Sequence, residues 1–131
     1  MGKKGISIAI DGPAGSGKST VARRVAEALG LLYVDTGAMY RAVTLKALRE
    51  KISLEDGEAL TKLANEVDLS YKKMPDLTYR LFLDGEDVSD EIRTERVSAG
   101  VSLVAAVKGV RRALVERQKR MGAAGDVVMD G

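Results

Sequence analysis

Residues 12–19 read Gly-Pro-Ala-Gly-Ser-Gly-Lys-Ser and match Gly-x-x-x-x-Gly-Lys-Ser/Thr at every fixed position. No other stretch restricts the fold so tightly. The apolar run Ile6–Ile10 stands before the octet, and residues 19–26 (Ser-Thr-Val-Ala-Arg-Arg-Val-Ala) open a helix after it. A buried strand aims such a loop, and its glycines let successive backbone N–H groups turn inward on an anion. The positive end of the following helix adds to that field. The pattern points to a polyphosphate held by Gly12, Pro13, Ala14, Gly15, Ser16, Gly17, Lys18, Ser19 and Thr20. Lys18 brings a mobile cation to the outer phosphates, and the Ser19 hydroxyl is placed to ligate Mg²⁺.

Two other readings fit less well. A glycine-rich turn between a strand and a helix would not need the lysine–serine pair in register. A dinucleotide site finds an acid at Asp35, 20 residues after Gly15, but Gly15-x-Gly17-x-x-Thr20 lacks the third glycine and leaves Lys18 without a role.

The 131 residues amount to one domain, with a net charge of only +2. That balance does not favour nucleic acid or membrane as partner. The sequence has neither cysteine nor histidine. Disulfides and thiolate metal sites are thereby excluded, and proton chemistry would fall to carboxylates. No apolar stretch reaches spanning length, so a cytoplasmic protein, monomeric for want of any contrary signal, is the expectation.

The chain reads as α/β: a parallel sheet flanked by helices, with a small antiparallel insert. A strand at 5–10 leads through the loop to a helix at 18–29, which Gly30 should end. Residues 31–34 form a second strand, and a helix runs from Asp35-Thr36-Gly37 to about Glu50. Ser53 is expected to cap a further helix to Val67, with Asp56 at its third position. Alternation at 68–73, 77–83 and 86–89 predicts strands, with Asp84-Gly85 as a hairpin turn. From Thr94 the pattern is helical to Met121, with a break near Lys108-Gly109, and residues 126–129 form a third parallel strand. Expected boundaries are 1–67 for the first part of the core, 68–93 for the insert and 94–131 for the remaining core, all within one domain. With three parallel strands the sheet is expected to be incomplete, and the chain to be the front part of a longer protein.

A second constellation, Asp35-Thr36-Gly37-Ala38-Met39-Tyr40-Arg41, follows the second strand and should emerge beside the loop. Thr36 and Tyr40 share one helical face, Gly37 and Arg41 the adjoining one. A hydroxyl, a ring and a guanidinium gathered there could hold a base and a phosphate. Singly, each has an ordinary use: Thr36 as a cap, Tyr40 as core filling, Arg41 as a solvated charge. These residues, with Ile8–Thr20, Gly85–Thr94 and Val110–Leu114, resemble the bacterial cytidylate kinase family. The loop is common to many families. Asp-Thr-Gly-Ala-Met-Tyr-Arg and Asp-Val-Ser-Asp-Glu-Ile-Arg (87–93) are far more specific.

The resemblance implies a nucleoside monophosphate kinase fold and a transferase of pyrimidine metabolism, moving the γ-phosphoryl group of ATP, with Mg²⁺, to CMP or dCMP. It implies that Thr36 and Arg111 contact cytosine, with Ser102 and Tyr40 lining the same pocket. Arg41 would face the acceptor's phosphate and act with Lys18 in transfer. Asp35 is a candidate acid for water on the metal, or else simply part of the helix start. The family pattern continues past Asp130-Gly131 with an Arg-Asp pair and an arginine-rich lid. The 131 residues are therefore expected to keep phosphate binding but to turn over slowly. Ser102 and Arg111 lie nine residues apart, on opposite faces of a straight helix. Both can line one pocket only if the helix breaks between them.

Rival readings remain. A shikimate-kinase-like enzyme would want a second acid where Gly37 stands. A GTPase would want Asn-Lys-x-Asp, which Asn65-Glu66-Val67-Asp68 imitates without the lysine. A nucleotide- or RNA-binding module without catalysis could use the basic run Lys108, Arg111, Arg112, Arg117, Lys119 and Arg120.

Overall fold

The structure, a computed structural model, describes residues 6–10, 18–76 and 78–131, and for Lys18 and Ser19 the backbone alone. Strand β1 (Ser7–Ile10), helix α1 (Lys18–Leu29), strand β2 (Leu32–Asp35) and helix α2 (Thr36–Arg49) come first. Then follow α3 (Gly57–Glu66), the strands β3 (Leu69–Lys73), β4 (Tyr79–Leu83) and β5 (Glu86–Asp87), and a 3-10 turn at Glu91–Arg93. Helices α4 (Glu95–Ala105) and α5 (Lys108–Ala124) lead into β6 (Val127–Asp130).

Among the described residues the parallel sheet has three strands in the order β1-β6-β2. The last strand is the central one. Val127 and Val128 are buried, as a short apolar run flanked by strands on both sides should be. Strand β6 lies between β1 and β2; the expected place of residues 35–41 beside the loop turns on residues 11–17, which lie outside the described residues. Register sets Ile10 and Asp35 both level with Asp130, so three strand ends line up along one edge. Helix α1 covers one face, burying Ala22 and Ala26 with Leu31, Tyr33 and Val128. The larger core lies on the other face, where Met39, Val43, Leu60, Val104 and Leu114 join Val34 and Val127.

Local chemistry explains most boundaries. Helix α1 ends where Gly30 takes φ +67°, the Leu31 N–H bonding to Ala26 O and the Gly30 N–H to Glu27 O. That paired arrangement is a Schellman stop, and it needs a residue at ease with positive φ. Asp84 and Gly85 both have positive φ, as a two-residue hairpin turn requires.

Two expected boundaries move. Asp56, not Ser53, caps α3, its carboxylate accepting from the Ala59 N–H at 3.1 Å. The Ser53 hydroxyl instead accepts from the Glu55 N–H, and its carbonyl from Asp56, so residues 53–56 form a turn. The break between α4 and α5 falls at Ala106–Val107, ahead of Gly109. Gly109 lies inside the first turn of α5, where a Cβ would collide with the Thr61 side chain of α3. Its glycine serves a close helix contact and not a break.

The three-stranded antiparallel sheet β3-β4-β5 buries Leu69, Leu81 and Leu83 in the larger core and adds polar and aromatic anchors. The Tyr71 hydroxyl donates to the Asp35 carbonyl at 2.9 Å, and the Tyr79 ring meets Tyr33 edge-on, 5.6 Å between centroids. At the far end Lys46 pairs with Asp84, and Arg49 forks onto Glu86 at 2.9 and 3.1 Å while reaching Glu91 at 2.7 Å. Among the described residues no helix is long and apolar enough to cross a membrane.

Candidate active site at the carboxyl edge of the parallel sheet

Ligands of open parallel sheets collect beyond the carboxyl ends of the strands. Here that edge carries Asp35 at the end of β2 and Asp130 at the end of β6, with Ile10 leading into the glycine-rich stretch. Residues 11–17 lie outside the described residues, as do the side chains of Lys18 and Ser19. Thr20 is exposed in the first turn of α1.

Asp130 is 2% exposed. Its carboxylate accepts a 2.6 Å hydrogen bond from the Tyr33 hydroxyl, and its carbonyl accepts from the Thr36 hydroxyl at 3.1 Å. Burial first, then this bond to a carboxylate, push the Tyr33 phenol up to about 12. A phenol raised that far stays a donor at neutral pH and fixes the Asp130 carboxyl group. Gly131 follows where a Cβ would collide with Thr36.

Thr36 is thus tied to β6. The cap of α2 is Asp35, whose carboxylate accepts from the Ala38 N–H at 3.2 Å. The ordinary use weighed for Thr36, as a helix cap, is corrected: a threonine already inside the first turn cannot cap it. Asp35 also meets the Arg93 guanidinium at 3.6 Å.

Tyr40 is half-buried; burial raises its phenol, while the neighbouring Arg111 cation pulls the other way. Arg111, on α5, is therefore close enough to Tyr40, on α2, for its charge to be felt there. Arg41 donates from Nη1 to the Ile92 carbonyl at 3.2 Å and to the Ser98 hydroxyl at 2.7 Å. Ser102 is exposed one turn beyond Ser98 on the same face of α4. The break at Ala106–Val107 meets the condition that Ser102 and Arg111 do not share one straight helix.

The basic run of α5 divides. Arg117 turns inward, giving its guanidinium to the carbonyls of Ala64, Asn65 and Val67 at the end of α3. Burial lowers its pKa, an expected result for a cation held by backbone oxygens alone. Lys108, Arg111, Arg112 and Lys119 line an open groove beside Val115 and Glu116. A separate cavity of about 360 Å³ lies across Tyr33, between α1 and the antiparallel sheet. Its cations are already engaged: Arg23 over the Tyr33 ring, Arg80 with Asp87 and Asp90, Arg93 with Asp35.

Sequence reasoning missed the part played by Tyr33, Arg93 and Ser98. An apolar run, Val127-Val128-Met129, ending in an acid already placed Asp130 at the carboxyl edge, though not its bond to Tyr33. Ser98 carried no such signal, because its contact depends on how α4 lies against α2.

The family model for cytidylate kinase matches residues 8–131. The cytidylate kinase of Pelotomaculum thermopropionicum is 55% identical over 125 residues, covering 95% of this chain and 55% of that protein. The cytidylate kinase of Symbiobacterium thermophilum is 55% identical over 130 residues, covering 99% of this chain and 58% of its own. A bifunctional pantoate ligase/cytidylate kinase of a Synechococcus strain is 53% identical over 126 residues, 23% of its length. The chain spans about half the length of the single-function curated relatives it matches. A parallel sheet between helices, carrying a small antiparallel sheet, agrees with the nucleoside monophosphate kinase fold implied by that match. With the match running from β1 to the last residue, the chain belongs to the cytidylate kinase family.

Proposed function

We propose that the protein transfers the γ-phosphoryl group of ATP to CMP or dCMP, giving ADP and CDP or dCDP. The observation that carries this reading within the family is Arg41. Its guanidinium sits near the sheet's carboxyl edge on two neutral oxygens, so its charge is not cancelled by a protein carboxylate among the described residues. An anionic acceptor would supply the missing partner.

In this reading residues 12–20 wrap the donor's phosphates, with Lys18 on the outer ones. Arg41 meets the acceptor's phosphate, and Thr36, Tyr40, Ser102 and Arg111 border the cytosine. An oxygen of the acceptor phosphate forms the new bond to the γ-phosphorus as the bond to the β,γ-bridging oxygen breaks. That attacking oxygen is already anionic, so the step needs no histidine as general base. Lys18 and Arg41 neutralise and align charge.

Mg²⁺ would offset the charge of the donor phosphates. The donor set suits it, since this ion keeps most of its water and needs one or two protein oxygens rather than a cage. Among the described residues no group of three or more acidic side chains forms such a cage. The Ser19 hydroxyl would be its direct ligand. Asp130, buried at the edge and fixed by Tyr33, and Asp35 beside it would meet its waters. The proposal includes a cytoplasmic protein of pyrimidine metabolism, since its substrates are nucleotides.

Coupled ADP release tests the reading. CMP and dCMP are expected to stimulate ADP formation above UMP and AMP, with slow turnover by the 131 residues alone. ADP formation indifferent to CMP would overturn it.

A further inference from the structure

Arg41 is held by elements that follow the antiparallel sheet in sequence. Ile92 belongs to the 3-10 turn, and its carbonyl accepts from Arg41 Nη1 at 3.2 Å. Ser98 lies in the first turns of α4; its backbone N–H is already spent on the Thr94 carbonyl, and its hydroxyl takes the second Nη1 bond at 2.7 Å. A guanidinium has five N–H donors. Among the described residues no acceptor engages Nε or Nη2 of Arg41, so one nitrogen is anchored and the rest of the fork stays open. Packing of α4 onto α2 comes from other residues, namely Val97, Gly100 and Val104. Ser98 itself is exposed.

We infer that Ser98 is a positioning residue: with the Ile92 carbonyl it pins one arm of Arg41 and leaves the other free to fork onto a nucleotide phosphate. The inference rests on the proposed contact between Arg41 and CMP. A free arginine side chain carries large rotamer entropy, and anchoring it beforehand reduces what is lost on binding. Both anchors are neutral, so they orient the cation without cancelling it. A carboxylate in either place would compete with the ligand.

The test is titration calorimetry with CMP and with cytidine, which lacks the phosphate, on the wild-type chain and on Ser98→Ala, Ser98→Thr and Arg41→Met. The ratio of the two affinities isolates phosphate recognition. Ser98→Ala is expected to reduce that ratio about fivefold, the scale of freeing one anchored long side chain, with cytidine affinity and melting midpoint unchanged. Ser98→Thr, which keeps the hydroxyl, restores it, and Arg41→Met removes the preference for CMP. If Arg41→Met collapses the ratio while Ser98→Ala leaves it intact, the role of Ser98 is overturned and the CMP reading stands. If Ser98→Ala weakens CMP and cytidine alike, or lowers the melting midpoint, its role is structural and the inference fails. If CMP binds no tighter than cytidine, or Arg41→Met leaves the ratio unchanged, the contact with Arg41 and the inference fall together.

Discussion

The two halves of helix α2 use the same residue type in opposite ways. In its last turns Lys46 and Arg49 are matched by Glu50, Asp84, Glu86 and Glu91, an ionic cluster that ties the hairpin to the core. Toward its start Arg41 has only a carbonyl and a hydroxyl. An arginine surrounded by carboxylates is spent on structure, whereas one oriented by neutral oxygens keeps its charge for something else. The cavity between α1 and the antiparallel sheet belongs with the first group. It has three arginines, and each is engaged by an acid or a ring.

The largest contrast should come from neutralising these arginines in turn. Arg41→Met is expected to lower CMP affinity on the order of a hundredfold, the scale of a lost charge-assisted fork, measured by calorimetry. Arg49→Met should leave CMP binding within about twofold, because its partners, Glu86 of the hairpin and Glu91 at the start of the following turn, are not residues placed against the nucleotide. Equal losses for the two would break the contrast.

The approach of α5, which carries Arg111 to Tyr40, can be tested separately. Gly109→Ala forces a Cβ into Thr61 and should cost about 1–3 kcal/mol in urea unfolding. An unchanged midpoint would show that α3 and α5 are not so closely set. Next in size is the cap of α3, where Asp56→Ala should cost about 1 kcal/mol. Ser53→Ala should cost clearly less, since its hydroxyl meets only a turn amide. For the ionic half of α2, Arg49→Met should cost no more than about 1 kcal/mol, as partly exposed pairs do, and less in high salt.

Acid should separate the two halves further. Lys46 holds the Asp84 carboxyl below its usual range, and Arg49 does the same for Glu86. Each depressed group contributes stability that is fully present above the ordinary carboxylate pKa, and loses it as pH falls through the lower folded value. Protection of amides 80–87 against hydrogen exchange, corrected for the intrinsic rate, should therefore fall below about pH 4, before that of residues 38–45. Simultaneous loosening would contradict the division.

Much of this was legible in the residues because local chemistry fixed it. Gly30 and Asp84-Gly85 announced their positive φ, and the alternation at 68–73 and 77–83 announced the antiparallel strands found at Leu69–Lys73 and Tyr79–Leu83. Where two residues could satisfy the same amide, the choice was not local. Ser53 and Asp56 both fit a cap, and Asp56 prevails because residues 53–56 close into a turn before the helix starts. Gly109 looked like a helix breaker, but its small size answers to Thr61 on another helix, which no pattern within α5 reveals. Likewise the insertion of β6 between β1 and β2 is long-range pairing, which no local pattern announces. The chemistry of Arg41 was visible as a residue type; its neutral partners were not, because Ile92 and Ser98 arrive 51 and 57 residues later.

The most direct measurement is a CMP titration of the isotope-labelled chain followed by backbone amide NMR. Binding at the carboxyl edge predicts shifts concentrated at Thr36–Arg41, Ile92–Ser102, Arg111 and Asp130, with Arg49 and Asp84–Glu86 unmoved. Shifts centred on the ionic end of α2, or none at saturating CMP, would contradict it.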